Sequence, residues 1–312
     1  MTVAVLNAVL KPLIESRLPD WVDARWYATK QEAFDLAPQA EIGWFDFFRK
    51  DDMAQAIGAA GRMKWLNSVF AGVEAFPLGL LAQRGVVLTN GAGINAIPIA
   101  EYVVMLMLAY AKDYRAVMRG QDRREWLKDS PGKRELWGSR ALILGYGAIG
   151  QEVEKRLVPF GVEVSKVRRS AAPGVLTPQE WRGRLGEFDW VIVAVPATAE
   201  TEGLLGAAEI AALKGNAVVV NVARGSVIDQ AALTAALAEG RIGGALLDVT
   251  TPEPLPAEDP LWGLANTHIT MHLSGRAQEL ANQRAADRFI ENLGRYGRGD
   301  PLDPVVDYAL GY

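Results

Sequence analysis

The segment Ala141-Leu-Ile-Leu-Gly-Tyr-Gly-Ala-Ile-Gly150 decides the fold of this chain. Four apolar residues lead into Gly145, Gly147 and Gly150, spaced G-x-G-x-x-G, and a helical pattern follows over 151–160. In a strand–turn–helix unit the first glycine makes the tight turn, the second lets a pyrophosphate approach the backbone, and the third lets the helix pack on the strand. The spacing alone also fits a structural glycine turn, but this context predicts a dinucleotide site at the helix N-terminus.

The composition favours a globular protein that acts on a small molecule. The 312 residues are 50% apolar, which is enough for two domains, and the net charge of −4 argues against nucleic acid as a partner. Because there are no cysteines, disulfides and cysteine-ligated metal sites are excluded, and no metal site is predicted. The N-terminus does not resemble a secretory signal, and the apolar window 94–111 contains Glu101, so we expect a cytoplasmic protein without a membrane span.

Strands alternate with helices along the whole chain, a pattern typical of parallel sheets covered on both faces. Before a break at Gly91-Ala-Gly93, the patterns predict strands at 3–7, 41–48, 64–70 and 86–90, and helices at 53–63, capped by Asp52, and at 74–84. After it they predict a long helix at 98–119, strands at 141–145, 162–167, 189–195, 217–222, 243–248 and 267–271, a helix at 229–239 capped by Asp229, and a last helix at 275–296. The fold class is therefore α/β.

The end of the second strand after the glycine turn indicates which dinucleotide binds. NAD-specific sites usually place an acidic residue there, about 20 residues past the glycines, to bind the ribose 2′-hydroxyl. Here the strand ends in Arg168-Arg169-Ser170, and Glu163 comes too early. Two guanidinium groups and a hydroxyl suit a 2′-phosphate, so the sequence predicts NADPH in preference to NADH. An ordinary basic strand end is the alternative.

Three polar residues follow later strands, where parallel sheets bind ligands. His272 ends the 267–271 strand, whereas His268 lies inside it and is expected to be structural. Arg224 follows the 217–222 strand, and Glu253 follows Asp248 in a proline-containing loop. Arginine can hold a carboxylate and polarise a ketone, histidine can give a proton near neutral pH, and a carboxylate can stabilise the protonated imidazole. Together they predict reduction of a 2-oxo acid.

With these motifs in place, the chain resembles the D-isomer-specific 2-hydroxyacid dehydrogenase family. The runs that carry the resemblance are GYGAIG (145–150), VPATAET (195–201), NVARGSVID (221–229), LDVTTPEPLP (247–256) and MHLSG (271–275). The run TPEPLPAEDPLW (251–262) and the basic strand end are similar to those of NADPH-dependent glyoxylate/hydroxypyruvate reductases. The first domain matches more loosely, through KWLNSVFAGVEAF (64–76) and TNGAGINAIPIAEYVV (89–104).

The resemblance implies a role for each matching residue. Arg224, Glu253 and His272 would be catalytic, and Asp248 would contact the nicotinamide carboxamide. The other cofactor contacts would be Gly145, Tyr146, Gly147, Ala148, Ile149, Arg168, Arg169, Ser170, Val195, Pro196, Thr201, Val222, Ala223 and Ser274. Substrate would meet Arg224, His272, the backbone N–H groups of Gly72 and Val73, and Trp44, although simple packing is an equal alternative for that tryptophan.

The family layout further implies two Rossmann-like or flavodoxin-like parallel-sheet domains separated by an active-site cleft. Residues 1–93 with 277–312 would form the substrate-binding lid, and 94–276 the dinucleotide-binding domain. A homodimer would form through the helix near 98–119, and Trp126 beyond it would reach the partner's active site or simply pack.

The expected reaction is NADPH-dependent reduction of glyoxylate or hydroxypyruvate to a D-2-hydroxy acid. Phe45, Phe47 and Phe48 beside Trp44 leave open a reductase of bulkier or aromatic 2-oxo acids. A non-catalytic dinucleotide sensor on the same fold, acting as a co-repressor, is the alternative from another class.

Overall fold

The structure is a computed structural model that describes residues 1–46, 49–169, 172–276 and 278–311. The chain divides into two compact units, one formed by Met1–Asn95 with Ala277–Tyr312 and the other by Ala96–Arg276. Each unit contains one parallel sheet, so the prediction of two α/β parallel-sheet domains is confirmed. In the described part of the chain, no helix combines the length and the apolar character needed to cross a bilayer.

The first unit has a five-stranded parallel sheet in the order β2-β1-β3-β4-β5. Its strands are β1 (Thr2–Asn7), β2 (Val22–Tyr27), β3 (Ile42–Gly43), β4 (Trp65–Asn67) and β5 (Val87–Thr89). Its helices are α1 (Lys11–Ile14), α2 (Lys30–Leu36), α3 (Lys50–Ala59), α4 (Leu78–Gln83) and α10 (Gln278–Arg298). This is the flavodoxin-like strand order, in which the connections change direction between β1 and β3.

The sequence analysis missed β2 and made two other strands of this unit too long. The edge strand β2 buries its end residues Val22 and Tyr27 but carries the charged pair Asp23 and Arg25, so its apolar pattern is weak. The predicted strands 41–48 and 64–70 are shortened to β3 and β4. Strand β3 ends at Gly43, and the Phe45 ring folds back over it. A Cβ at Gly43 would lie only 2.6 Å from that ring, so glycine makes this packing possible.

The second unit has a six-stranded parallel sheet in the order β11-β10-β9-β8-β6-β7. Its strands are β6 (Arg140–Leu144), β7 (Glu163–Val167), β8 (Trp190–Val193), β9 (Val218–Asn221), β10 (Gly244–Leu247) and β11 (Thr267–Ile269). Its helices are α5 (Ala96–Ala111), α6 (Tyr114–Asp122), α7 (Ala148–Leu157), α8 (Ala207–Ala211) and α9 (Gln230–Ala238). All six predicted strands are present, and the central ones are buried because both faces of the sheet are covered.

Several predicted helices begin or end elsewhere. The helix expected at 98–119 is two helices, because Asp113 adopts a left-handed conformation (φ 43°) and its side chain accepts a hydrogen bond from the Ala116 N–H as the cap of α6. The helix expected from 53 to 63 is α3, so Asp52 lies in its first turn instead of capping it. The helix expected at 74–84 is α4. The Asp229 cap of α9 is confirmed by its 3.0 Å bond from Ala232 N.

Candidate active site

The glycine turn has the geometry that a pyrophosphate site requires. Gly145 has φ +99°, and a Cβ there would lie 2.6 Å from the carbonyl carbon of Ala194 at the end of β8. A Cβ at Gly150 would lie 2.5 Å from the carbonyl oxygen of Gly145, so only glycine allows this packing of α7. At Gly147, by contrast, nothing lies within 4 Å. The first and third glycines are therefore packed tightly against protein atoms, whereas the second leaves space for a phosphate where α7 begins at Ala148.

A half-buried polar network ties the glycine turn to the helix and the strand that follow it. The Tyr146 hydroxyl donates to Glu154 of α7, and Lys166 of β7 donates to the same carboxylate at 2.6 Å. The Lys166 ammonium also lies 4.7 Å from the centre of the Tyr146 ring. Although burial opposes it, these hydrogen bonds lower the pKa of Glu154. The glycine turn is thereby tied to both the helix and the strand that follow it, and the sequence analysis missed Glu154 and Lys166.

Arg168 and Arg169 lie exposed at the carboxyl end of β7, next to the glycine turn in the sheet. The Arg169 guanidinium lies 3.7 Å from the Glu200 carboxylate, in the loop after β8. That loop is closed by Thr201, which donates to the Pro196 carbonyl oxygen at 2.6 Å and accepts from Thr198 N. Ser170, the third residue predicted to bind the 2′-phosphate, lies outside the described residues, as do Phe47 and Phe48.

The loop that carries Arg224 is shaped by its neighbours. The buried Asn221 at the end of β9 accepts from Ala223 N and donates to the Arg224 carbonyl oxygen, both at 3.0 Å. Val222 and Ala223 are buried, so Arg224 is the first residue after β9 that is half-exposed. A Cβ at Gly225 would lie 2.1 Å from the Thr250 carbonyl oxygen. Glycine at that position therefore lets the arginine loop pack against the loop that leads to Glu253.

Glu253 joins that loop to His272. One of its carboxylate oxygens accepts from Thr250 N at 3.1 Å, and the other lies 2.8 Å from Nδ1 of His272. Because an ionised carboxylate only accepts, Nδ1 carries the proton of this bond and Nε2 faces away from Glu253. In the described part of the chain, no hydrogen bond reaches Nε2. Both side chains are about 40% exposed, at 42% and 37%, so the pair is open to a small molecule.

Asp248 holds the loop in which His272 lies. Its buried carboxylate accepts from the hydroxyl groups of Thr270 (2.7 Å) and Ser274, and from the N–H groups of Leu273 (3.0 Å) and Ser274 (3.2 Å). Its carbonyl oxygen accepts from His272 N at 2.5 Å. The oxygen Oδ1 is saturated by these donors, which leaves only Oδ2 with room for another. Holding the histidine loop is a role that the sequence analysis did not assign to Asp248.

The histidine loop needs this support because its backbone is strained. Met271 and His272 have φ values of 55° and 57°, a left-handed conformation that side chains with a Cβ rarely adopt. Such conformations cost about 1–3 kcal/mol each and persist only where neighbouring contacts impose them. The four donors to Asp248 are those contacts. This backbone conformation directs the imidazole toward Glu253 and exposes the apolar side chains of Met271 and Leu273 on either side.

The sequence-predicted residues of the first unit lie at the carboxyl end of its own sheet. Gly72 and Val73 follow β4, and in the described part of the chain their N–H groups have no hydrogen-bond acceptor. Trp44 is 1% exposed and packs 5.0 Å from the Phe289 ring, with its indole N–H bound to Asp46. Phe45 is equally buried. Trp44 and Phe45 are thus core residues of this unit. For Trp44 this burial favours simple packing over contact with substrate.

The second unit therefore combines an open glycine turn at a switch point of a parallel sheet with two further features at the carboxyl ends of its strands: the contact between Glu253 and His272, and Arg224 in the loop after β9. This defines a dinucleotide-binding domain of the dehydrogenase class. Residues 104–274 match the family model described as D-isomer specific 2-hydroxyacid dehydrogenase, NAD binding domain. The chain belongs to this family, as the sequence predicted.

Individual relatives are similar over most of the chain. D-3-phosphoglycerate dehydrogenase of Archaeoglobus fulgidus is 33% identical over 261 residues, which cover 81% of this chain and 49% of that protein. The chain thus spans about half the length of that relative. Glyoxylate reductase of Korarchaeum cryptofilum is 31% identical, with 82% and 80% covered. The solved D-isomer specific 2-hydroxyacid dehydrogenase of Xanthobacter autotrophicus, in complex with NADPH and MES, is 29% identical with a TM-score of 0.78, and 100% and 99% are covered.

Proposed function

We propose that the protein reduces small 2-oxo acids, with glyoxylate and hydroxypyruvate as first substrates, to D-2-hydroxy acids with NADPH. The observation that carries the proposal is the 2.8 Å pair between His272 Nδ1 and Glu253, which leaves Nε2 to face a substrate. A purely sensing protein has no use for such a proton donor, which argues against the co-repressor alternative. The similarity to glyoxylate reductase of Korarchaeum cryptofilum supports the substrate class.

Each residue has one task in the proposed reaction. The Arg224 guanidinium binds the substrate carboxylate and polarises the ketone, which stabilises negative charge as it develops on the oxygen. The Nε2 of His272 gives that oxygen a proton, while Glu253 orients the ring through Nδ1 and stabilises its positive charge. A nicotinamide bound beyond the glycine turn would supply the hydride to the carbonyl carbon. The N–H groups of Gly72 and Val73 are proposed to receive the substrate carboxylate.

The preference for NADPH is supported by the two exposed guanidinium groups of Arg168 and Arg169 at the end of β7. A 2′-phosphate can bind such groups through charge-assisted, bidentate hydrogen bonds. The similarity to the Xanthobacter autotrophicus dehydrogenase in complex with NADPH points the same way.

A second candidate is a reductase of bulkier 2-oxo acids. It is favoured by Met271 and Leu273, which are 60% and 39% exposed on either side of His272. Apolar side chains beside the proton donor would suit an apolar substituent on the substrate.

The test is a panel of 2-oxo acids, from glyoxylate and hydroxypyruvate to branched and aromatic members, measured with NADPH and with NADH. We expect the highest kcat/KM for the small acids with NADPH. Higher values for the branched or aromatic acids would select the second candidate. Absence of turnover with every acid and both cofactors would favour the non-catalytic dinucleotide sensor.

We also propose a homodimer formed through α5. This helix and α7 expose an apolar groove whose lining includes Met105, Tyr114 and Phe160, which are 48%, 55% and 41% exposed. Glu101 and Lys155 at its border supply charges of both signs, which suits the same surface on a second copy. Trp126 is 93% exposed in the loop after α6 and is a candidate for contact with the partner. Sedimentation of Met105→Glu should show monomers, and Leu280→Glu, at another exposed apolar residue, is the control.

A further inference from the structure

One buried carboxylate of the first unit has no part in the proposed chemistry. Asp46 follows β3, and its two oxygens accept three hydrogen bonds: from Ser68 Oγ at 2.6 Å, from Val69 N at 2.8 Å and from Trp44 Nε1 at 2.5 Å. The residue as a whole is half-buried, but these donors enclose its carboxylate. Asp46 therefore ties the end of β3 to the segment that follows β4.

Among the described residues, the partners of this carboxylate are all uncharged. In the described part of the chain, no lysine, arginine or histidine forms an ion pair or a hydrogen bond with Asp46. Among the described residues, the titratable group that faces it from another strand is Tyr27 of β2, on the far side of β1, whose hydroxyl donates to the Trp44 carbonyl oxygen at 2.7 Å. Burial raises the pKa of Asp46 to about 6, although the three donors work in the opposite direction. Stability alone does not call for a charged group in this position.

The segment held by Asp46 is also fixed at its far side. Asn90 Nδ2 donates to the Ala71 carbonyl oxygen at 2.8 Å, and Gly91 N donates to the Phe70 carbonyl oxygen at 2.8 Å. A Cβ at Gly91 would lie 1.9 Å from the Val69 carbonyl oxygen, so the two segments are in close backbone contact. The segment 68–71 is thus clamped between Asp46 and 90–91. Directly after the clamp come Gly72 and Val73, whose N–H groups have no acceptor among the described residues.

We propose that Asp46 is a positioning residue for substrate: it holds the segment 68–71 so that the N–H groups of Gly72 and Val73 are presented to the substrate carboxylate. The inference rests on the proposed function, because it specifies how that substrate is bound. Asp46 itself touches no substrate and acts through the backbone that it holds.

The ionised form is the one that can perform this task. An ionised carboxylate accepts at every lone pair, so it satisfies Ser68, Val69 and Trp44 together. A protonated carboxyl group or an asparagine amide carries a donor of its own, and of the three partners only Ser68 Oγ can accept, since Val69 and Trp44 offer N–H groups. The bond to Ser68 is then reversed, and the Ser68 hydroxyl hydrogen loses its acceptor while the oxygen also holds Phe70 N at 3.0 Å. Protonation of Asp46 therefore loosens the clamp at Ser68. Asparagine imitates the protonated state at every pH.

The kinetic test compares Asp46→Asn with the wild type. We expect KM for the 2-oxo acid to rise about tenfold at pH 8, the effect of losing a hydrogen bond to a charged group, while kcat stays within about twofold. The matched control is Glu41→Gln, which removes a charge at the opposite end of β3, where Glu41 pairs with Lys64 at 3.2 Å. An unchanged KM, or a loss of kcat without a change in KM, would overturn the proposal.

The pH profile separates positioning from a merely structural role. The ratio of KM for Asp46→Asn to KM for the wild type should be about tenfold at pH 8 and approach one at pH 5, where wild-type Asp46 is itself protonated. Because the two proteins differ only at position 46, the pH dependence of the shared residues cancels in this ratio. A ratio that is constant from pH 5 to pH 8 contradicts the proposal. Should Asp46→Asn fail to fold, Ser68→Ala is the second variant, with an expected rise in KM of about threefold, and an unchanged KM overturns the proposal.

A measurement without substrate distinguishes failure of this inference from failure of the proposed function. Hydrogen exchange at pH 8 should be about tenfold faster for the amides of 68–73 in Asp46→Asn than in the wild type and unchanged in Glu41→Gln. If no 2-oxo acid is turned over but exchange changes in this way, the clamp stands and the proposed function fails. Equal exchange in the wild type and Asp46→Asn rejects the clamp, whatever the enzyme reduces.

Discussion

The carboxyl edges of the two sheets use the same device for different purposes. In the first unit, the Asp46 carboxylate accepts from one hydroxyl, one backbone N–H and one indole N–H of neighbouring segments. In the second, Asp248 accepts from two hydroxyls and two backbone N–H groups of a single loop. Each carboxylate replaces the ladder where the strands end, so that an irregular loop keeps one conformation.

What the two carboxylates hold is different. Asp248 holds a loop that carries an imidazole, a side chain that can transfer a proton. Asp46 holds a loop that offers only backbone N–H groups, which can bind an anion but cannot exchange a proton at neutral pH. We therefore expect damage at Asp248 to lower kcat and damage at Asp46 to raise KM.

The largest effect is expected at the histidine itself. His272→Ala removes the proton donor, and kcat should fall about 10³-fold, within the range for general acid catalysis, while NADPH binding is unchanged. The control is His268→Gln, because His268 lies inside β11 beside Tyr110 and should leave kcat close to that of the wild type. Steady-state kinetics and NADPH fluorescence titration check both. A mild loss in His272→Ala would mean that another group gives the proton.

The unfolding free energy should depend on pH through Asp46. Its folded pKa of about 6 lies above the ordinary value of 3.8, so the folded state binds the proton more tightly than the unfolded state. This stabilisation is present below pH 4 and is lost as pH rises through 6, by about 3 kcal/mol. Urea unfolding at pH 4 and pH 7 should show the loss in the wild type but not in Asp46→Asn. An equal dependence in both proteins would assign it to other groups.

Asp248→Asn tests the other side of the comparison. The amide directs a donor at hydroxyl or N–H groups that need an acceptor, so the strained conformation of Met271 and His272 is no longer held. We expect kcat to fall about 10²-fold with a smaller change in substrate KM, since a catalytic group has lost its position. Ser274→Ala, which removes one donor and keeps the carboxylate, should cost less. A rise in KM without a loss of kcat would contradict the proposal that Asp248 serves catalysis whereas Asp46 serves substrate binding.

The smallest effect concerns the cofactor. Replacing Arg168 and Arg169 by alanine should raise KM for NADPH about tenfold and leave KM for NADH unchanged, because only NADPH carries the 2′-phosphate. Arg241→Ala, at an exposed arginine paired with Glu239 after α9, is the control. Equal changes for both cofactors would show that the arginines bind a part common to the two molecules.

Sequence patterns predicted the second unit better than the first. Its central strands β6, β8, β9 and β10 are continuous apolar runs, so local propensity and burial agree, as at Ala141–Leu144 before the glycine turn. In the first unit β3 has two residues, and the edge strand β2 carries Asp23 and Arg25. Short or charged strands are held by pairing with their neighbours, which is not a local property of the chain.

The sequence alone determined the residue types and their order: the glycine spacing, the basic end of β7, and Arg224, Glu253 and His272 after successive strands. Only the tertiary structure decided which groups hold them. Gly225 must meet Thr250, Glu253 must reach Nδ1 of His272, and Asp248 must collect donors from residues up to 26 positions away. The same holds for Asp46, whose partners lie across the sheet at Ser68 and Val69. Pairings of this kind depend on strand order and on the burial of polar groups, and neither is encoded in any short stretch of sequence.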